Sequence, residues 1–149
     1  KLAFASADPK EFIQTVSNST IEIITNNGLN INQKEAKLKI LFKENVDINW
    51  IGRFVVGKYW KQMNDNQKKE YTNLYSEYLI NSYVPNFKKY TKEKIEITNV
   101  KPGHNSNEFL VDTIIVRPNN QEIKVSYNLR HEPKTNKFKI FDIVAEGVS

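Results

Sequence analysis

One segment constrains the fold more than any other. Over residues 121–132 the chain alternates strictly, with Ile123, Val125, Tyr127 and Leu129 pointing one way and Lys124, Ser126, Asn128 and Arg130 the other. A period of two marks a half-buried strand, whose polar face takes water while its apolar face must be covered. Residues 94–101 alternate around Ile95 and Ile97, residues 108–117 are rich in β-branched side chains, and residues 138–145 make a last strand. Pro118-Asn119-Asn120 and Pro133-Lys134-Thr135-Asn136 are turns short enough to join neighbouring strands directly. Short turns between successive strands predict an antiparallel meander.

The cover must come from the first half of the chain, where the period is helical. Asp8-Pro9-Lys10-Glu11 supplies a cap, a proline at the first helical position and an acid in the first turn. Phe12, Ile13, Val16, Thr20, Ile23 and Ile24 then recur at helical spacing until Asn26-Asn27-Gly28 stops them. A second helix is expected from Asn32, where Glu35 completes a capping-box-like pair, with Ala36, Ile40 and Leu41 as its apolar side. Asp47 caps a third that contains Ile51, Phe54, Val55 and the Tyr59-Trp60 pair. The longest, over residues 64–84, shows Tyr71, Leu74, Tyr75, Tyr78 and Leu79 on one face before Pro85 ends or kinks it. The expected fold class is α+β: an N-terminal helical layer packed on one face of a curved four-stranded antiparallel sheet.

Composition then narrows the function. With 149 residues and 39 % hydrophobic residues, the chain can build the core of one ordinary domain, and no apolar run approaches the roughly 18 residues of a membrane span. There is no Cys, and His104 and His131 stand apart, so no metal or cofactor is expected. The net charge of +5 comes from Lys spread along the chain, with Arg53, Arg117 and Arg130 the only arginines. Base recognition leans on clustered Arg, so nucleic acid is not an expected partner. No nucleophile elbow, Walker loop, dinucleotide fingerprint or zinc-protease motif is present, and 5 Gly leave little from which to build a phosphate loop. Asp112 and Asp142 fall on strands, where an acid inside a helix-covered cone can serve as a general base or simply accept hydrogen bonds and face water. Phe54, Tyr59, Trp60, Tyr71, Tyr75, Tyr78, Tyr83, Phe87 and Tyr90 crowd the helical half. Tyr and Trp carry polar tips that need partners when buried, so such a surplus suits a cavity or a wet rim as well as a core. Near the start, Ala5-Ser6-Ala7 fits the small-x-small pattern of signal peptidase, the alternative being an alanine-rich stub.

Gly57-Lys58-Tyr59-Trp60-Lys61-Gln62, followed by Gln67, Tyr71, Tyr75, Leu79 and Tyr83, resembles the helical signature of the MlaC family, the toluene-tolerance auxiliary proteins. The run from Phe138 through Phe141-Asp142 into Glu146-Gly147-Val148-Ser149 is similar to that family's second signature, and Val125-x-Tyr127-x-Leu129 matches the strand between them. The family usually has Trp at the place of Phe138 and a Ser or Thr near Asn64, and its members continue past the Gly-Val-Ser motif with helical sequence that is not part of this one.

The resemblance implies a periplasmic phospholipid carrier without enzymatic activity. Its partners would be an outer-membrane lipoprotein–porin complex and an inner-membrane ABC transporter complex. Residues 1–7 then read as the remnant of an export signal and residues 8–149 as one lipid-binding domain, cone-shaped in the manner of nuclear transport factor. Acyl chains would lie between helices and sheet, against Phe54, Val55, Leu74, Tyr75 and Tyr78 on one side. Val111, Thr113, Val125, Tyr127, Leu129 and Ile140 would line the other. Each methylene exposed to water costs about 0.8 kcal/mol, so two long chains forfeit on the order of 20 kcal/mol in free solution, and only an apolar cavity can move them. The alternatives are a cone-shaped isomerase or hydratase with Asp112 or Asp142 as base, and an interaction module whose cavity is incidental.

Overall fold

Four strands of alternating pattern joined by short turns can close only as a meander, and they do. In the computed structural model, which describes residues 8–85 and 93–146, β1 (Lys94–Pro102), β2 (Glu108–Val116), β3 (Glu122–Glu132) and β4 (Lys137–Ala145) form one antiparallel sheet in that order. The N-terminal stub, Phe87, Tyr90 and Gly147-Val148-Ser149 lie outside the described residues. The register sets Val111 opposite Tyr127, Thr113 opposite Val125 and Leu129 opposite Ile140, so the apolar residues gather on one face. Irregularities between Ile97 and Asn99 and between Asn128 and Leu129 bend the strands, as extra residues in a ladder do.

The helices follow their caps. α1 (Pro9–Thr25) starts at Asp8, whose carboxylate accepts from the Lys10 N–H at 2.9 Å. α2 (Ile31–Asn45) begins ahead of the expected Asn32, because Asn30 and Gln33 close a reciprocal capping box at 2.8 and 3.0 Å. α3 (Ile48–Val56) is capped by Asp47 and ends at Gly57, whose φ of 60° and ψ of −131° suit glycine alone. That stop puts the Tyr59-Trp60 pair in a separate 3₁₀ segment, Gly57–Gln62, rather than in α3. α4 (Asp65–Tyr83) carries a second box between Asn64 and Gln67. Among the described residues no helix is long and apolar enough to cross a membrane.

α1 and α2 pack on each other and over the sheet, while α3 pairs with α4 and also touches β4. The core joins Ile13, Leu38, Val46, Ile48, Leu79, Ile80 and Val84 to Val111, Leu129, Phe138 and Ile140. Gly52 lets α3 approach α4 closely: a Cβ there would sit 3.0 Å from the Tyr75 ring, and the Tyr71 hydroxyl donates to the Gly52 carbonyl at 2.7 Å. Burial pushes the Tyr71 and Tyr75 hydroxyls above the usual tyrosine range, and at Tyr75 the neighbouring Tyr71, Tyr83 and Tyr78 add to it. α4 buries Leu79 and Ile80, whereas Leu74 and Tyr78 lie on its opposite, exposed side, so the expected single face of Tyr71, Leu74, Tyr75, Tyr78 and Leu79 is divided.

Between α2 and α3 the chain crosses the free edge of β4. Val46 makes a parallel bridge to Ile140, the Asp47 N–H donates to the Ile140 carbonyl at 2.8 Å, and the Lys139 ammonium donates to the Glu44 carbonyl at 2.9 Å. Beyond the crossing, the Trp50 ring meets Phe141 at 5.2 Å on the outer face of the sheet. Arg130, expected to face solvent, is half-covered there. Its guanidinium lies 4.9 Å from the Trp50 ring and 4.5 Å from Phe141, with Asp47 at 3.7 Å and Glu108 at 3.4 Å. Asp47 therefore caps α3, through the Trp50 N–H at 3.1 Å, and faces Arg130 with its other oxygen. Asp47→Ala should lower the free energy of urea unfolding by about 1–3 kcal/mol, combining a lost cap with a lost partner of a half-buried charge. Asp8→Ala, which removes a cap alone, should cost about 1 kcal/mol or less in the same measurement.

Candidate binding cavity

α1 presents Ile13, Val16, Ile21 and Ile24 toward the sheet, and α2 presents Leu38, Leu41 and Phe42. Ile95 of β1, Ile115 of β2, Tyr127 of β3 and Ile140 and Ile143 of β4 face them across a cavity of about 410 Å³. Three of the polar residues in its wall are disarmed by their own helices. Thr20 donates to the Val16 carbonyl, Thr25 to the Ile21 carbonyl and the Asn45 amide to the Leu41 carbonyl, each at 2.8 Å. Side chains turned back on their own backbone in this way make no demand on an occupant. Ser17 also lines the cavity, and charge enters only where Glu93 and Lys94 begin β1.

The sequence-derived pocket residues fall into three groups. Tyr127 and Ile140 line the cavity. Val111, Thr113, Val125 and Leu129 are buried on the same face of the sheet but are not part of the described wall; the Thr113 hydroxyl donates to the Val125 carbonyl at 2.8 Å. Phe54, Val55, Leu74 and Tyr78 are exposed, and Tyr75 lies half-buried in the contact between α3 and α4. The wall of α1, where Ile13, Val16, Thr20 and Ile24 recur, was visible as an apolar helical face, but such a face reads the same whether it meets side chains or a hollow.

The strand acids do not enter the cavity. Asp112 accepts from the Ser126 hydroxyl at 2.7 Å and pairs with Lys101 at 3.4 Å, and Asp142 accepts from the Asn128 amide at 3.4 Å. In register, these residues occupy the sheet face away from the helices, so a cone-type base at Asp112 or Asp142 has no access to the hollow. Among the described residues no cluster of three or more His, Asp or Glu is arranged to hold a metal, and every buried side-chain nitrogen and oxygen has a partner.

Helices closing one face of a curved antiparallel meander over an apolar hollow define the class: a small α+β domain with an internal cavity. The chain belongs to the MlaC family, whose profile, described as MlaC protein, matches residues 14–149. It is similar to the intermembrane phospholipid transport system binding protein MlaC of Haemophilus influenzae, with 23% identity over 154 residues that take in 100% of this chain and 72% of the relative. It is also similar to a solved phospholipid-binding protein from Ralstonia solanacearum in complex with a phospholipid, with a TM-score of 0.79 over 95% of this chain and 79% of that one. At 16% identity that likeness is one of fold, and it agrees with the expected α+β architecture.

Space in the wall and tight packing beside it respond oppositely to added volume. Val125→Trp, at a buried site outside the described wall, should cost about 1–3 kcal/mol of unfolding free energy through overpacking. Val16→Phe, which points into the cavity, should change the stability of ligand-free protein by less than about 1 kcal/mol. Urea melts of delipidated protein compare the two, since a bound ligand would itself stabilise the parent.

Proposed function

We propose that this chain is a non-enzymatic carrier that holds the acyl chains of a glycerophospholipid in the cavity between α1, α2 and the sheet. The observation that carries the reading is the wall itself: mostly aliphatic and aromatic side chains, with Thr20, Thr25 and Asn45 bonded back to their helices, around about 410 Å³. That volume lies in the range, roughly 300–1,000 Å³, of pockets that bury most of a small ligand. The names of the Haemophilus and Ralstonia proteins support the same ligand class. Residues 8–149 act as one lipid-binding domain in this reading, in the periplasm, passing lipid between an outer-membrane lipoprotein–porin complex and an inner-membrane ABC transporter complex.

Native mass spectrometry of the full chain, purified without detergent from bacteria, should show adducts with phospholipid mass that are lost at high collision energy. Val16→Phe should lower their abundance several-fold, because the added ring occupies space that an acyl chain would fill. Bare protein at every collision energy would overturn the reading, as would adducts that Val16→Phe leaves at parental abundance.

A further inference from the structure

Among the described residues, most of the large hydrophobic side chains left exposed belong to the helices that do not line the cavity. No residue of α3, the 3₁₀ segment or α4 belongs to the described cavity wall. Yet Phe54 is 72% exposed and Tyr78 65%, with Val55, Tyr59 and Leu74 also more than half exposed. Leu74 and Tyr78 lie one turn apart on the side of α4 opposite its buried residues. Rings connect the two ends of this face: Trp60 meets Tyr71 at 6.3 Å, Tyr71 meets Tyr75 at 5.8 Å and Tyr75 meets Tyr78 at 6.0 Å.

The 3₁₀ end of this face is cationic. From Arg53 to the end of α4 the chain holds Arg53, Lys58, Lys61, Lys68 and Lys69 against Asp65, Glu70 and Glu77, with the cations gathered around the 3₁₀ segment and Glu70 and Glu77 further along α4. Arg53 sits 5.1 Å from the Trp60 ring, Lys68 5.3 Å from the same ring and Lys58 5.6 Å from Tyr59. Among the described residues none of these five cations makes an ion pair, whereas Lys39, Lys101 and Arg130 do. Arg53, Lys58 and Lys68 carry their charge beside aromatic faces rather than in an ion pair.

An apolar surface of this kind needs a partner, and its chemistry selects one. Protein interfaces favour Arg and deplete Lys, but the border here is mostly Lys. Tyr and Trp rings settle at the headgroup level of a bilayer, and Lys stems lie along apolar surface while their ammonium groups reach lipid phosphates. The geometry points to the α3–α4 face as a docking surface for an anionic membrane. The aromatic residues enter the headgroup layer, and Arg53, Lys58, Lys61 and Lys68 pair with the phosphates of acidic lipids. Docking there leaves the cavity wall untouched, so this inference stands apart from what the cavity holds.

Cosedimentation of the full chain with vesicles tests it. The protein should partition onto vesicles of phosphatidylglycerol mixed with phosphatidylcholine, release as salt rises, and stay off pure phosphatidylcholine. Reversing two exposed charges, Lys58→Glu with Lys61→Glu, should weaken partition by about tenfold or more, since each basic residue near an anionic surface contributes a several-fold factor. Leu74→Ser with Tyr78→Ser should also weaken it, and Val16→Phe should leave it at the parental value. Circular-dichroism melts confirm that each surface variant is folded. Equal partition onto both vesicle types, or binding indifferent to the charge reversal, would overturn the inference. So would a parent that avoids vesicles but dimerises through Leu74 and Tyr78, or one that avoids vesicles but binds a soluble acidic protein through the same lysines.

Discussion

The crossing of the β4 edge at Val46 and Asp47 sets where everything else can go. A free sheet edge exposes a row of unpaired backbone groups, and here the Val46–Ile140 bridge and the Asp47 N–H take up part of that row. The crossing also assigns sides. α2 arrives over the apolar face of the sheet, and α3 leaves with Trp50 against the outer face at Phe141 and Arg130. The Asp47–Arg130 pair, at 3.7 Å with both side chains partly in water, contributes at most about 1 kcal/mol, while Glu108, at 3.4 Å from the same guanidinium, is buried. The larger effect of the Asp47–Arg130 pair is positional. One carboxylate starts α3 and orients the arginine on which Trp50 stacks, so cap, edge and outer face share a single residue.

The hollow follows from uneven filling of the space between helices and sheet. At one end Phe12, Phe109 and Phe138 pack with centroids 5.6 and 5.8 Å apart. Further along α1 the wall includes the short side chains of Val16, Ser17 and Thr20, with Ile95, Ile115 and Ile143 of the sheet lining the same hollow. A folded protein ordinarily closes such a gap, because lining atoms without neighbours lose dispersion energy, and cavities in cores are costly for that reason. An apolar ligand that fills the gap returns those contacts and stabilises the folded state by mass action.

Strands and their faces were legible because a period of two leaves no freedom: the apolar set of β3 had to face the helices, and Tyr127 and Ile140 reached the cavity. Depth was not legible. Val111, Val125 and Leu129 share that face and are buried outside the described wall, since alternation tells which way a side chain points and not how closely a helix approaches it. Gly57 was the missed signal that separates Tyr59-Trp60 from α3. Asn32 was read as the start of α2 with Glu35 as its reply, whereas Asn30 is the cap and Gln33 the reply. Of the aromatic surplus, Phe54, Tyr75 and Tyr78 were read as lining, but helical spacing alone cannot tell inside from outside when both sides of α4 carry large side chains.

That two-sided character of α4 gives the molecule its division of labour. Leu79 and Ile80 fix the helix to the core, so Leu74 and Tyr78 are held outward by the same packing that buries the other side. Gly52 and the Tyr71 hydroxyl lock α3 against it, and Trp60 ties the cations of the 3₁₀ turn to the same unit. Aliphatic residues of α1 and α2 meanwhile make most of the helical wall of the hollow, with Thr20, Thr25 and Asn45 turned back on their own backbones. In the proposed function a ligand held this way is retained by area and shape, which favours acyl chains in general over any one headgroup. In the proposed docking, contacts that depend on charge fall on the α3–α4 face, on elements that take no part in the described cavity wall. Surface charge can therefore be altered without reshaping the cavity, and the cavity filled without altering the surface.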